Sequence, residues 1–306
     1  MSDVIFIVNP RAAKGAAAEI GRRLKKELNA RGVAHEIQLT EYQGHASELA
    51  RRTPARVVVA VGGDGTINET ANGIVGTGKT LGIIPAGSGN DLIKSLSIPA
   101  DFRAAVDTVF RGQVRQIDVG HVRCSTVGTA GKTGTVGDGR YFVNGVGIGF
   151  DAAVAARTAE IPHLRGVLLY IVAVFQTLGK YRPPEFRVSY GHGERRFPGL
   201  LIAIGNGRCA GGGFYLTPHA EPDDGLLDIC MVKAVPLLKI IRLMPKVMKG
   251  GHAGDPDVEF VQSRKVTVEG STEFFVHADG EIVGRNVTGV TVELTNSKLP
   301  VLVGPG

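Results

Sequence analysis

The run Arg56-Val57-Val58-Val59-Ala60-Val61 passes directly into Gly62-Gly63-Asp64-Gly65-Thr66, and Thr66–Val75 then carries helical spacing. A continuous apolar run, Val57–Val61, reads as a strand buried on both faces, the kind found in a parallel sheet. Three glycines in such a turn let the backbone bend sharply and bring N–H groups close to a bound phosphate. The start of the following helix adds partial positive charge. A carboxylate inside that loop would repel phosphate unless a divalent cation lay between them, so Asp64 points to Mg²⁺. No Lys-Ser/Thr follows, which excludes a Walker A loop, and the spacing is not Gly-x-Gly-x-x-Gly. The plain alternative is a strand-to-helix turn capped by Asp64 and Thr66, but such a turn needs only one glycine.

The flanking sequence repeats this alternation. Val4–Val8, His35–Leu39 and Leu81–Ile84 read as strands. Ala16–Arg31, Gly44–Arg52, Asn90–Leu96 and Phe102–Phe110 read as helices. The first of these places Ile20, Leu24 and Leu28 on one face and Arg22, Arg23, Lys25 and Lys26 toward water. An α/β domain with an open parallel sheet and helices on both faces is expected. Ligands bind such sheets at the carboxyl ends of the strands. Two more loops belong there: Asn9–Gly15, where Lys14 or Arg11 could neutralise phosphate, and Ala86–Asp91, where Ser88 and Asn90 could donate hydrogen bonds.

Beyond about Arg123 the pattern changes. Tyr141–Val146, Phe186–Tyr190, Leu200–Ile204, Leu227–Val232, Lys265–Val268, Phe274–Ala278 and Thr291–Leu294 are short β-type runs between Gly, Pro and Asp turns. Helices at Leu164–Leu178 and Pro236–Lys249 interrupt them, and Gly128–Gly139 reads as a mobile surface loop. A mainly antiparallel β-sandwich is the natural assembly. The expected division is therefore 1–123 and 124–295, with the apolar tail 296–306 returning to the first domain. A length of 306 residues fits two domains.

Composition narrows the function classes. The 43 glycines follow no Gly-X-Y period, so the chain is not collagen-like. Cys124, Cys209 and Cys230 have neither pairing nor metal spacing and read as buried residues of a reducing cytosol. The apolar start is too short for a signal peptide, and Leu164–Leu178 is too short and too interrupted to span a bilayer. A net charge of +6 suits an anionic partner. Nucleic acid is disfavoured because aromatics are 6%, Trp is absent and the basic residues are not interleaved with aromatics.

The motifs NPRAAKG (9–15), GGDGTINE (62–69) and PAGSGND (85–91) together resemble the diacylglycerol kinase-like catalytic domain. That family includes bacterial diacylglycerol kinases, YegS-like lipid kinases, and sphingosine and ceramide kinases. The resemblance continues through NGVGIGFDA (144–152), GNGRCAGGGFYLTPHAEPDDGLLDI (205–229) and HADGE (277–281) and covers nearly the whole chain. It implies an NAD kinase/diacylglycerol kinase-like fold and an ATP- and Mg²⁺-dependent lipid kinase that phosphorylates a lipid hydroxyl. Diacylglycerol, giving phosphatidic acid, is the default acceptor. A sphingoid base or ceramide is the alternative acceptor, and an NAD kinase sharing GGDGT is the alternative enzyme. By the same resemblance, Asn9, Lys14, Thr40, Gly62, Gly63, Gly65, Thr66, Asn68, Glu69, Ser88 and Asn90 match nucleotide-contacting positions. Asp64 would organise Mg²⁺ and phosphates, and Glu281 would be the general base. Glu221 and Leu226 carbonyls with the Asp224 carboxylate resemble a Mg²⁺ site, and Asp223 would join the water network around it. Ala12-Ala13 stand where Ser-Gly is common, and Ser88 stands where Thr is frequent.

A last expectation comes from the residues of Pro236–Lys249. Lys239, Arg242, Lys246 and Lys249 recur at helical spacing with no acidic residue between them, while apolar residues fill much of the remaining circumference. A transient contact with the inner face of a membrane by a cytoplasmic protein is expected, the alternatives being a helix packed on the sandwich with a solvated basic edge or one buried in a homodimer.

Overall fold

Parallel pairing organises the N-terminal residues because each strand is followed by a helix that must cross back over the sheet. The computed structural model describes residues 3–12, 16–127, 133–158, 160–161, 166–179 and 181–304. Two compact units emerge: residues up to Val119 together with those from Asn296 onward, and Gly120–Thr295. In the first unit the order is β1 (Val4–Val8), α1 (Ala16–Ala30), β2 (Glu36–Leu39), α2 (His45–Arg52), β3 (Val57–Gly62), α3 (Asp64–Ile74), β4 (Thr80–Pro85), α4 (Asp91–Ser95) and α5 (Phe102–Arg111). β1 lies between β2 and β3, and β3 pairs with β4, all in parallel register. β13 (Glu281–Val303) brings Val301 alongside Leu81 of β4, also in parallel.

Burial follows the pleat. Phe6, Val8, Val59, Val61 and Ile84 point to the face where Leu24 and Leu28 of α1 and Ala105, Val106 and Val109 of α5 pack, with Leu302 closing the cluster. Fully burying side chains of this size is worth about 1.5–3 kcal/mol each. α2 and α3 pack together, and Glu69 of α3 ties them: its carboxylate accepts the Gly44 and Ala46 amides at the start of α2. α3 begins at Asp64, two residues before the expected start. Gly63 is extended and serves as the N-cap, so Asp64 falls in the first turn, where the helix dipole favours an acid.

The second unit holds the latter part of β5 (Gln113–Val127), then β6 (Thr133–Phe142), β7 (Gly145–Gly149), α6 (Phe150–Thr158), α7 (Gly166–Leu178), β8 (Glu185–Tyr190), β9 (Gly193–Gly205), β10 (Leu227–Lys233), α8 (Leu237–Val247), β11 (Val258–Ser263), β12 (Lys265–Ala278) and most of β13. Its pairings are antiparallel: β11 with β10, β10 with β9, β9 with β7 and β8, and β12 with β7, β8 and β13. Both faces of its centre are covered. Ile202, Ile204, Ile229 and Met231 face a core shared with Phe142, Phe186 and Val276, while Leu201, Ala203, Cys230 and Val232 face α6, α7 and α8. That alternation is the strand period of two.

Three expectations about strands and loops need correction. Most of Gly128–Gly139 is not a loop: Thr133 onward is β6, paired antiparallel with β5 from Val127↔Thr133 to Gly120↔Phe142, and 128–132 lie outside the described residues. Ladder hydrogen bonds satisfy the backbone of an exposed ribbon, so small polar residues suffice there. The two runs Lys265–Val268 and Phe274–Ala278 are one strand interrupted by an irregularity between Glu269 and Phe274. Tyr141–Val146 is instead broken at Val143-Asn144, between β6 and β7. The division between the units falls inside β5, after Val119.

Candidate active site

In the first unit, parallel β1, β3 and β4 place their following loops at one edge of the sheet. Backbone bonds chain those loops together: Asn9 N–H donates to Val61 O at 3.0 Å, and Ala86 N–H donates to Gly62 O at 2.7 Å. Asn9 Nδ2 donates to Thr66 Oγ1 at 3.1 Å, joining the first loop to the first turn of α3. The second and third loops also meet glycine to glycine. A Cβ on Gly87 would lie 2.4 Å from Gly63 Cα, so any side chain there would push the loops apart. Asn90 sits in the left-handed region with φ 50°, where its side chain accepts the Gly87 amide and donates to the Gly87 carbonyl, each at 3.0 Å. Asp64 Oδ1 accepts the Asp91 amide at 2.7 Å, fixing the carboxylate at the positive end of α3.

The other sequence-predicted nucleotide residues separate into groups. Ser88 is exposed on the third loop, and Gly65 lies in the first turn of α3. Thr40 is buried and donates its amide to Val8 O at 2.9 Å. Asn68 is fully buried within α3, where Asn72 Nδ2 donates to it, and Glu69 caps α2 as described. These last two support the loop from behind. Lys14 lies outside the described residues.

In the second unit, Asp279 and Gly280 have φ of 49° and 84° and form the two-residue turn joining Ala278 of β12 to Glu281 of β13. Both central residues at positive φ match the right-handed twist of a hairpin. The Asp279 carboxylate turns inward and accepts three amides, from Val143 and Asn144 at 3.0 Å and from Gly145 at 2.8 Å. The turn is thereby locked to the β6–β7 break, and Glu281 projects from it with Arg140 Nη1 3.6 Å from its Oε2.

Beside this turn lies a buried polar pair. Asp151 Oδ2 is 3.4 Å from His277 Nε2, and neither Asp151 Oδ2 nor His277 Nδ1 has a hydrogen-bond partner among the described residues. Gly147 makes room for them, because a Cβ there would lie 2.1 Å from Asp151 Oδ2 and 2.2 Å from His277 Nε2. Asp151 also lines an apolar cavity together with Phe150, Leu201, Phe214, Ile240, Leu243 and Met244. Apart from Asp151 and His252, every described residue lining it is apolar. Burial pushes the His252 imidazole below its ordinary value and the Tyr181 phenol well above its own; the Asp151 charge adds to the Tyr181 shift.

The segment Glu221–Leu226 forms a tight oxygen-rich turn. Asp224 Oδ1 accepts the Leu226 amide at 2.9 Å, the Asp224 amide approaches Glu221 O at 3.5 Å, and the Glu221 carboxylate pairs with Arg208. Half-buried Asp223 lies between them. Among the described residues no three His, Cys, Asp or Glu side chains gather as a ready-made cation cage.

Sequence reasoning missed Asp151, His277 and the anchoring role of Asp279. The last could be read only as a turn residue, since its partners lie more than a hundred positions away. A glycine two residues before a strand-ending Gly-Phe-Asp was the available hint for Asp151.

Comparison with known proteins agrees with this geometry. Residues 3–122 match the diacylglycerol kinase catalytic domain, and residues 144–303 match the YegS C-terminal NAD kinase beta sandwich-like domain. The diacylglycerol kinase of Mycobacterium tuberculosis is 31% identical over 286 residues, covering 91% of this chain and 88% of that one. The diacylglycerol kinase of Bacillus subtilis is 28% identical over 291 residues, covering 91% and 89%. Among solved structures, a diacylglycerol kinase from Bacillus anthracis superposes with TM-score 0.69 at 22% identity, over 99% of this chain and 97% of that one. An NAD kinase from Archaeoglobus fulgidus in complex with ATP shares the fold at TM-score 0.53 and 15% identity, over 98% and 93%. Both parts of the chain are matched by these domains and nearly all of it by the curated relatives: the chain belongs to the diacylglycerol kinase family and is a lipid kinase.

Proposed function

We propose that this lipid kinase transfers the γ-phosphoryl group of ATP to the free hydroxyl of diacylglycerol, giving phosphatidic acid. The observation that carries the choice of a diacyl acceptor is the apolar cavity of the second unit, whose polar lining among the described residues is Asp151 and His252. Acyl chains fit apolar walls, and a buried carboxylate can accept a hydrogen bond from the acceptor's polar end. A dinucleotide offers charge and sugar hydroxyls, which apolar walls would leave unpaired.

On this reading the first unit is the nucleotide-binding domain. The amides at the start of α3, with Asn9, Thr66, Ser88 and Asn90, cradle the phosphates, as helix starts and glycine loops do elsewhere. Thr40 and Gly62–Gly65 belong to the same binding region, Lys14 is assigned to it by the family motif alone, and Asn68 and Glu69 hold α3 and α2 in place. The second unit carries the lipid acceptor. Glu281 takes the proton of the lipid hydroxyl as its oxygen bonds to the γ-phosphorus. The bond from that phosphorus to the β–γ bridging oxygen breaks, and ADP leaves with the electron pair. Phosphoryl transfer asks for positioning and charge stabilisation more than covalent chemistry, so one late-acting carboxylate base suffices.

Each unit offers donors that fit Mg²⁺. In the first, Asp64 offers a carboxylate; in the second, Asp224 offers a carboxylate and the Glu221 and Leu226 carbonyls offer neutral oxygen, all hard ligands. Magnesium commonly uses one or two carboxylates and fills its shell with water and phosphate oxygen, which agrees with the lack of a three-acid cage among the described residues. When bound, it supplies neutralisation of the charge on the transferring phosphates. Asp223 would order water beside Asp224.

The test is a competition with γ-labelled ATP and Mg²⁺ against diacylglycerol, ceramide and sphingosine in mixed micelles and NAD in solution, with products identified by mass. Phosphatidic acid should dominate. Labelled NADP as the main product would overturn the acceptor assignment, and a phosphorylated sphingoid base or ceramide would redirect it.

A further inference from the structure

Helix α8 (Leu237–Val247) has apolar side chains in two adjacent sectors, and only one of those sectors is covered by the fold. At about 100° per residue, Ile240, Leu243, Met244 and Val247 share a sector, and these four line the apolar cavity. Leu237, Leu238, Ile241 and Met248 fall in another sector and are exposed by 48%, 59%, 41% and 42%. Exposed Pro245, in the last turn, falls within that outer sector. Arg242, Lys246 and Lys249 come next around the helix, all exposed and with no ion pair to described residues. Four of the ten large exposed hydrophobics among the described residues therefore lie on one short helix or at its end, with basic residues alongside.

Lys239 corrects the four-residue basic stripe expected from sequence. It pairs with Asp255 at 2.8 Å and also with Asp257, pinning α8 to the segment before β11. That pairing holds the helix as a wall of the cavity and leaves three basic residues for an outside partner.

We infer that the outer face of α8 docks on an anionic bilayer, with Leu237, Leu238, Ile241 and Met248 entering the headgroup–acyl boundary and Arg242, Lys246 and Lys249 meeting lipid phosphates. The pairing of an exposed apolar sector with an adjacent cationic one is the pattern of interfacial helices. A second copy of the chain would bring three cations against three cations, so charge complementarity favours the lipid surface. Because the inner side of the same helix lines the cavity, docking sets the cavity wall against the membrane that holds the acceptor. This inference rests on the proposed acceptor reading for its purpose, but its test does not use turnover as its main readout.

The experiment is sedimentation with vesicles of phosphatidylcholine alone or mixed with phosphatidylglycerol, without ATP or diacylglycerol, for the wild type and two surface variants. R242Q/K246Q/K249Q removes the charge and L238S/I241S removes apolar contact, both at exposed positions. R22Q/K25Q/K26Q removes equal charge from exposed positions of α1 as the comparison. Wild type should bind the anionic vesicles more tightly than the neutral ones. The triple α8 variant should lose about a hundredfold in partition coefficient, as expected for about 1 kcal/mol per basic group near an anionic surface. L238S/I241S should weaken binding to both vesicle types, and the α1 variant should bind as wild type does. Turnover of detergent-dispersed diacylglycerol should be unchanged in all three variants. Unchanged vesicle binding by the α8 variants, an equal loss in the α1 variant, or concentration-dependent dimers abolished by L238S/I241S would overturn the inference. Absent diacylglycerol turnover with intact anionic binding would instead count against the acceptor reading and leave the docking surface standing.

Discussion

Replacing Asp279 by Asn changes one oxygen into a nitrogen and should still loosen the hairpin that carries Glu281. Asp279 is 7% exposed, and its carboxylate accepts the Val143, Asn144 and Gly145 amides. The Asn carbonyl can keep the Asn144 and Gly145 bonds to Oδ1. Its NH₂ must then face the Val143 N–H, donor against donor. A hydrogen bond to a charged acceptor is worth about 1.5–3 kcal/mol, and the two retained bonds lose their charge assistance. Together the loss is about 3–5 kcal/mol, a large share of the roughly 5–15 kcal/mol that holds a domain. The backbone contributes nothing to this difference, because Asn tolerates the left-handed φ of 49° as well as Asp does. Two measurements read it. Urea unfolding followed by far-ultraviolet circular dichroism should show the second unit melting about 1–3 M earlier, given typical urea slopes. Hydrogen exchange in peptides covering 143–145 should accelerate by a factor on the order of a hundred or more. A midpoint within a few tenths molar of wild type, with unchanged exchange there, would refute the anchoring role.

Gly87→Ala places a Cβ 2.4 Å from Gly63 Cα. Overpacking of about 1–3 kcal/mol should raise the ATP dissociation constant about ten- to hundredfold. Gly134→Ala, where nothing lies within 4 Å, should leave it unchanged. Calorimetric titration checks both. His252 is held neutral by burial, with nearby His219 acting in the same direction and Asp255 opposing. The unfolded chain therefore takes up that proton first as pH drops below the ordinary 6.5, so stability falls with falling pH. A His252→Asn variant should show a flatter Tm profile between pH 7 and about 5; a profile parallel to wild type would count against this. Cys124, Cys209 and Cys230 are buried, and burial lifts the Cys124 thiol to about 11. All three should resist alkylation at pH 8 until the chain unfolds.

Much of the first unit was legible in the sequence because its signals are local. Val57–Val61 is apolar at every position and becomes β3, and the Ile20, Leu24, Leu28 spacing becomes the buried side of α1. The loop glycines announced a sharp turn, but the reason for a pair of them appears only when Gly63 meets Gly87 from another strand. Glu69 shows the limit of motif reading: it lies inside GGDGTINE, yet both its oxygens cap α2. In the second unit, most of β6 was hidden because an exposed ribbon needs no apolar pattern to pair, whereas β5 buries Ile117, Val119, Val122 and Cys124. Asp279, Asp151 and His277 were hidden for a different reason. Their partners come from distant segments, and neither helical nor strand periodicity records a contact across the fold.

In the proposed mechanism Asp64 organises the phosphates and Glu281 takes the lipid's proton. Phosphatidic acid formation from labelled ATP and diacylglycerol micelles, measured for wild type, Asp64→Asn and Glu281→Gln beside ATP binding by each, tests it most directly. Asp64→Asn should lose on the order of 10²–10³ in rate as an electrostatic partner of the transferring group. Glu281→Gln should lose about 10²–10⁴ as the base while binding ATP as wild type does. Near wild-type turnover by Glu281→Gln across the pH range, or by Asp64→Asn at saturating Mg²⁺ and ATP, would contradict the account.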